Sequence, residues 1–342
     1  MVEQREPQVS APEEVKLRMV EVGVCGTDRD LCNFKFGTAP AGCDHFVLGH
    51  ELLAEVVDAG DGVSKVKPGD LVVGVVRHPC DDPSCAACRA GRQDFCATGR
   101  YRERGILGMH GFMTEFVVDE ERYVYPVARE LREAAVLVEP LTIAEKAFLQ
   151  WEAIDTRLPW RKGPRTALVL GAGPVGILGA MLFRLRGYDT WVYSRAPQAN
   201  VAIVEATGAR FVAAGMPPRE FAKLAGQVDV VYEAMGAPQT AFDFLECLGA
   251  NGVFVFTGVP PVQEDLAIDL HQLLFRMIVR NQVVLGTVNA GPDAFEAAIR
   301  DLGAFHERWP RALAAMISGR YPLTAFHDAI HDPGIKNVLV SE

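Results

Sequence analysis

The chain lacks any stretch of about 20 consecutive apolar residues, the length needed to cross a bilayer. The nearest candidate, Ala167 to Phe183, is broken by four glycines and a proline and reads as strand, turn and helix. Met1 to Glu14 is polar and has no apolar run of the kind a signal peptide carries, so a cytoplasmic location is expected. Positive charge is also in deficit. Lys and Arg number 34 against 44 Asp and Glu, a formal net charge of −10. That balance argues against a nucleic-acid partner, because phosphate needs a compensating cationic surface. No bias marks disorder, a collagen repeat or a coiled coil: 49% hydrophobic and 23% charged residues describe a globular protein. Its 342 residues suggest about two domains, each large enough to bury its own core.

Cysteine is plentiful. Of eight, four fall in CDDPSCAACRAGRQDFC at 80–96, a C-x4-C-x2-C-x7-C pattern. Thiolates Cys80, Cys85, Cys88 and Cys96 at these separations can surround one tetrahedral Zn2+. A closed four-cysteine shell leaves no place for water, so such a site stabilises a lobe rather than catalysing. The alternatives are two disulfides or free surface thiols, and a chain without a signal peptide favours metal. The nearby arginines (Arg89, Arg92, Arg100, Arg102, Arg104) read as a solvated face.

From Thr166 the pattern changes. Thr166 to Leu170 is a nearly continuous apolar run, as expected of a strand buried on both faces of a parallel sheet. Gly171-Ala172-Gly173-Pro174-Val175-Gly176 follows, then the helix-like stretch Ile177 to Leu185. This is G-x-G-x-x-G between strand and helix. The first glycine serves the tight turn, the second lets a pyrophosphate approach the backbone, and the third lets helix and strand pack closely. Further strand-like runs at Thr190–Tyr193, Val228–Tyr232, Gly252–Phe256 and Val283–Gly286 alternate with helical stretches, indicating a doubly wound sheet. An acid closing the second strand would hold the ribose 2′-hydroxyl of NAD. This chain has Tyr193-Ser194-Arg195 and no acid from Thr190 until Glu205. Arginine there suits a 2′-phosphate and favours NADP, whereas Arg195 stacked on adenine would admit NAD as well.

In the first half, Gly23-Val24-Cys25-Gly26-Thr27-Asp28 follows an alternating strand, Val15 to Val22. Leu48-Gly49-His50-Glu51 and Val138-Glu139-Pro140-Leu141 come later. Together they offer Cys, His and carboxylates, a mixed set of the kind catalytic zinc sites use with one position left open.

These segments resemble the zinc-dependent medium-chain dehydrogenases, most of all the archaeal-type glucose (aldose) dehydrogenase branch. The resemblance runs from about Val15 to the C-terminus. It is carried by V-G-V-C-G-T-D at 22–28, V-L-G-H-E at 47–51, V-K-P-G-D-L-V at 66–72 and G-R-Q-D-F-C at 91–96. E-R-G-I at 103–106, H-G-F-M-T-E-F at 110–116, E-P-L-T-I-A-E-K at 139–146, the glycine fingerprint and G-T-V-N at 286–289 complete it. The fold class it implies is α/β, a GroES-like catalytic domain plus a doubly wound Rossmann domain. Residues 1–145 would form the first, 146–289 the second, and 290–342 would return to the catalytic domain, with the active site in the cleft.

By the same resemblance Cys25, His50 and Glu139 match catalytic zinc ligands and Glu51 an exchangeable one, while Cys80, Cys85, Cys88 and Cys96 match a structural zinc site. A carboxylate at Glu139, where alcohol dehydrogenases usually have cysteine, resembles the polyol and sugar branches. Glu103 matches an acid that hydrogen-bonds sugar hydroxyls, its alternative being a salt bridge to Arg102 or Arg104. Glu51, Glu139 and Asn289 complete the expected sugar contacts. Thr27 is the expected proton carrier beside the metal. The expected cofactor contacts are Gly171, Gly173, Pro174, Val175, Gly176, Ser194, Arg195, Thr257 and Asn289.

The implied reaction is oxidation of an aldose, D-glucose foremost, at C1 to a lactone with hydride transfer to NADP+. Galactose, a polyol or threonine as substrate, or a non-enzymatic cofactor-binding role, are the alternatives. A homo-oligomer, tetramer or dimer, is the implied assembly. The sequence departs from the family at the four-residue first cysteine spacing, at Ala54 where glycine is frequent, and at Val76 where some glucose dehydrogenases carry a sugar-binding asparagine. With 24 residues ahead of Cys25, the family's first strand is expected to be shortened or absent.

Overall fold

A computed structural model describes residues 2–160, 163–261 and 265–341. The chain forms two compact units, one of Met1–Thr142, Asn289–His306 and Leu313–Glu342, the other of Ile143–Val288 and Glu307–Ala312.

The first unit begins with β1 (Glu14–Gly23), α1 (Gly26–Cys32), β2 (Glu51–Ala59) and β3 (Leu71–Gly74). Then come β4 (Arg77–His78), α2 (Ala86–Arg89), β5 (Arg102–Arg104), β6 (Gly108–Met109), β7 (Phe116–Glu120) and β8 (Val124–Val127). Residues 2–10 contribute no strand. Alternation along β1 sends Val15, Leu17 and Met19, and past a register shift between Met19 and Glu21 also Val22, into a core with Leu52, Ala54, Val56, Phe112 and Val117. Each large aliphatic side chain buried this way contributes about 1.5–3 kcal/mol. Glu21 is buried too, and it is stabilised there by Arg132 and Arg320, each 2.9 Å from its carboxylate.

The second unit holds most of α3 (Val138–Asp155), then β9 (Thr166–Leu170), α4 (Pro174–Leu185), β10 (Asp189–Ser194), α5 (Gln198–Ala206), β11 (Arg210–Ala213) and α6 (Pro218–Ala225). It continues with β12 (Val228–Glu233), α7 (Pro238–Phe244), β13 (Leu248–Phe256), α8 (Leu270–Val279) and β14 (Val283–Gly286). Its six parallel strands run β11-β10-β9-β12-β13-β14. The order reverses between β9 and β12, the switch point at which such sheets bind ligands. All five strand-like runs read from the sequence are strands here, several longer by a residue or more. Helix α4 starts three residues before the expected Ile177, because Pro174 is acceptable in a first turn that needs no N–H.

The chain then supplies α9 (Pro292–Arg308), α10 (Pro310–Ala314), β15 (Ile317–Pro322), α11 (Phe326–His331) and β16 (Lys336–Val340). Strand β16 pairs with β1 and completes a seven-stranded sheet ordered β15-β16-β1-β2-β3-β8, with β7 also on β1. That β1 lies between β16 and β2 places Gly23 opposite both Val338 and Glu51.

Candidate functional site

Three short segments of the first unit converge. Cys25 caps α1, His50 and Glu51 lie at the entry to β2, and ligand atoms of these three residues all lie within 4.8 Å of one another. Glu139, in the first turn of α3, is outside that tightest set but acts on the same groups electrostatically. Burial, helped by the Glu51 and Asp28 carboxylates and opposed by His50 and Lys336, pushes it up to about 7. Thr27, the second residue of α1, is half-buried beside them.

Two residues here escaped the sequence reading. Asp28 is fully buried, accepts the Cys25 N–H at 2.8 Å, and sets its other oxygen 3.5 Å from His50 Nδ1. Burial alone would lower His50, yet Asp28 overrides it and raises the imidazole well above its ordinary range. With Nδ1 turned toward Asp28, the ring has Nε2 left for a metal. Lys336 of β16 is buried with its ammonium 2.6 and 2.5 Å from the two Glu51 oxygens. A Cβ on Gly23 would come within 2.0 Å of Glu51 Oε2, so the glycine makes room for this carboxylate. Only its place in C-G-T-D hinted at Asp28, and nothing local marked Lys336.

The donor chemistry fits a divalent cation. One thiol and three carboxylates are packed with one ammonium and one imidazole. A cation would offset the surplus of negative donors.

The four cysteines at 80–96 also meet, with all sulfurs within 4.8 Å. Cys80 and Cys88 sulfurs are 3.6 Å apart, Cys85 and Cys96 sulfurs 4.0 Å. Thiolates about 2.3 Å from one tetrahedral zinc sit about 3.8 Å from each other, far beyond the roughly 2.05 Å of a disulfide. All eight cysteines are unpaired. Burial resists ionisation of Cys96, but the Thr98 hydroxyl and amide and the neighbouring thiols bring it down to about 6. Cys32 is half-buried, Cys43 exposed, and Cys247 buried against the Pro218 carbonyl.

Glu103 sits on β5 directly across from Arg77 of β4. Its ion pair is with Arg77 at 2.9 Å, and not with the sequence neighbours Arg102 and Arg104. Arg104 instead pairs with buried Asp119 at 2.9 Å. Asn289 donates its amide to Glu103 at 2.9 Å. Val76, buried, offers its carbonyl to the Arg104 N–H.

In the second unit the glycine loop has the expected form. Gly171 takes φ +111°, and a Cβ on Gly176 would lie 2.2 Å from the Gly171 carbonyl. A Cβ on Gly173 would meet nothing within 4 Å, so the loop has open space there. The first amide of α4 to find a helical carbonyl is Ile177, bonded to Gly173, which leaves the Val175 and Gly176 amides for an anion. Ser194 ends β10 and Arg195 follows it, exposed. Thr257 donates its hydroxyl to the Glu233 carbonyl at 2.7 Å. Buried Glu233 was not foreseen: its carboxylate accepts the amides of Met235, Gly236 and Gly258 and so ties together the loops after β12 and β13.

Comparison with known proteins agrees over the whole chain. Residues 11–129 match the alcohol dehydrogenase GroES-like domain and residues 132–340 the glucose dehydrogenase C-terminus. A glucose 1-dehydrogenase of Methanocella arvoryzae is 39% identical over 91% of this chain and 86% of its own length. That of Thermoproteus tenax is 40% identical over 96% and 92%. Haloferax mediterranei glucose dehydrogenase, solved in complex with NADP, Zn and gluconolactone, superposes with a TM-score of 0.91 at 31% identity, covering 100% of this chain and 95% of that one. The chain belongs to the zinc-dependent medium-chain dehydrogenases, in their archaeal-type glucose dehydrogenase branch.

Proposed function

We propose that this protein is a glucose 1-dehydrogenase that oxidises D-glucose at C1 to the lactone and passes the hydride to NADP+. The observation that carries this reading is the likeness, over the entire chain, to a dehydrogenase solved with NADP, Zn and gluconolactone. The donor set at Cys25, His50 and Glu51 supports it.

Cys25, His50 and Glu139 would hold the catalytic zinc, with Glu51 as an exchangeable ligand; Cys80, Cys85, Cys88 and Cys96 would hold a structural one. Bound zinc supplies Lewis acidity toward the C1 hydroxyl, and bound NADP+ supplies the hydride acceptor. Asp28 keeps the His50 ring oriented. Thr27 takes the hydroxyl proton outward, with Glu51 assisting. Glu103, Glu51, Glu139 and Asn289 bind sugar hydroxyls, which carboxylates and amides match by accepting and donating in pairs. Gly171, Gly173, Pro174, Val175 and Gly176 receive the pyrophosphate, Ser194 and Arg195 the 2′-phosphate, and Thr257 and Asn289 the nicotinamide half.

Steady-state kinetics with D-glucose, D-galactose and D-xylose against NADP+ and NAD+ test the assignment. D-glucose with NADP+ should have the highest kcat/KM. A Cys25→Ala protein with full activity would refute the zinc chemistry.

A cytoplasmic location belongs to the same proposal, since a reducing compartment suits eight unpaired thiols. Among the described residues no helix is long and apolar enough to cross a membrane. Self-association as a dimer or tetramer is also proposed. It is supported by α8, which exposes Leu270, Leu274, Phe275, Ile278 and Val279, followed in the chain by β14 at the sheet's open edge. Light scattering coupled to gel filtration reads the mass directly.

A further inference from the structure

We propose that Arg77 is the positioning residue for sugar recognition: with Asn289 it clamps one oxygen of Glu103 and leaves the other for a ring hydroxyl. The proposal rests on the reading of Glu103 as a hydroxyl-binding acid.

Arg77 is buried, and its Nε and Nη2 lie 3.0 and 2.9 Å from Glu103 Oε1. Asn289 Nδ2 donates to the same Oε1 at 2.9 Å. Among the described residues no hydrogen bond falls on Oε2. An arginine that closes an ion pair for stability alone ordinarily places two nitrogens on two oxygens. Here both nitrogens and the amide converge on one oxygen, so the carboxylate is fixed without being used up.

The clamp is itself held. Arg77 and Glu103 are direct cross-strand partners, the guanidinium lies 3.6 Å from the centre of the Tyr101 ring, and Nη1 reaches the Asp94 carbonyl at 3.5 Å. Asn289 has φ +60°, and its Oδ1 accepts the Ala290 N–H at 2.8 Å, which fixes the amide plane and aims Nδ2 at Glu103. The neighbouring arginines do not compete: Arg104 is paired with Asp119, and Arg102 points to Asp81 at 3.9 Å.

The test uses the NADP+-dependent enzyme with R77K, R77M, E103Q and the double variant R77K/E103Q. Lysine keeps a cation beside Glu103 but cannot place two N–H groups on one oxygen from the stacked position. R77K is expected to raise the KM for D-glucose about tenfold, with kcat and the KM for NADP+ close to wild type. R77M should raise it further, and the double variant should be no worse than E103Q alone. The proposal is overturned if R77K lowers thermal stability yet leaves the sugar KM unchanged while E103Q raises it. Multiplying effects in the double variant would overturn it as well. If E103Q itself leaves the sugar KM unchanged, the reading of Glu103 fails first and the role of Arg77 falls with it.

Discussion

Lys336 and Glu51, 285 residues apart in the chain, form a buried ion pair in which one ammonium serves both carboxylate oxygens at 2.6 and 2.5 Å and also donates to the Val24 carbonyl at 3.1 Å. Gly23 leaves the space this pair occupies. Removing one partner leaves an uncompensated charge in the interior.

Lys336→Met should therefore destabilise the protein by about 3–5 kcal/mol, the usual cost of breaking a buried pair. Urea unfolding monitored by fluorescence measures it. A loss below about 1 kcal/mol, the range of exposed pairs, would contradict a buried pair that matters to folding.

Cys88→Ser should reduce bound zinc from about two to about one per chain by plasma mass spectrometry, because a three-thiolate shell loses much of its affinity. The melting temperature should fall. Unchanged zinc content would show that the four sulfurs do not share an ion.

Arg195→Ala should raise the KM for NADP+ about tenfold or more, the size of one lost charge-assisted contact, and leave the KM for NAD+ nearly unchanged. Equal losses for both cofactors would mean that Arg195 serves the adenine and not the 2′-phosphate.

Asp119 supplies a pH dependence. Burial would raise this carboxyl, but Arg104 and His78 hold it below its ordinary value. A carboxyl depressed in the folded state contributes stability that is present above its unfolded value of about 3.9 and is lost as pH falls through the lower folded value. Thermal unfolding between pH 6 and 3 should fall off more steeply for wild type than for Asp119→Asn. Parallel curves would contradict the assignment.

Much of the fold could be read before any coordinates. The strand at Thr166–Leu170 and the glycine loop appear where the apolar run and G-x-G-x-x-G placed them, because a parallel strand buried on both faces carries its signal in consecutive residues. The four cysteines of 80–96 were legible for the same reason: their ligand spacing is local. The salt-bridge alternative for Glu103 named Arg102 and Arg104, which are adjacent in the chain, whereas its ion pair is with Arg77, adjacent only across the β4–β5 pair.

Element types, the glycine loop, the clustered thiols and the Cys, His and carboxylate segments are legible in the residues alone. Each is a property of residues within about one turn or one strand of each other. Which charges share a buried space is set by the folded chain: Asp28 behind His50, Lys336 on Glu51, Arg77 and Asn289 on Glu103, and Glu233 under three loop amides. Those pairings follow from strand order and register. β16 returns from the far end of the chain to lie beside β1, and the desolvation that makes each pairing obligatory exists only once the sheet has closed over it.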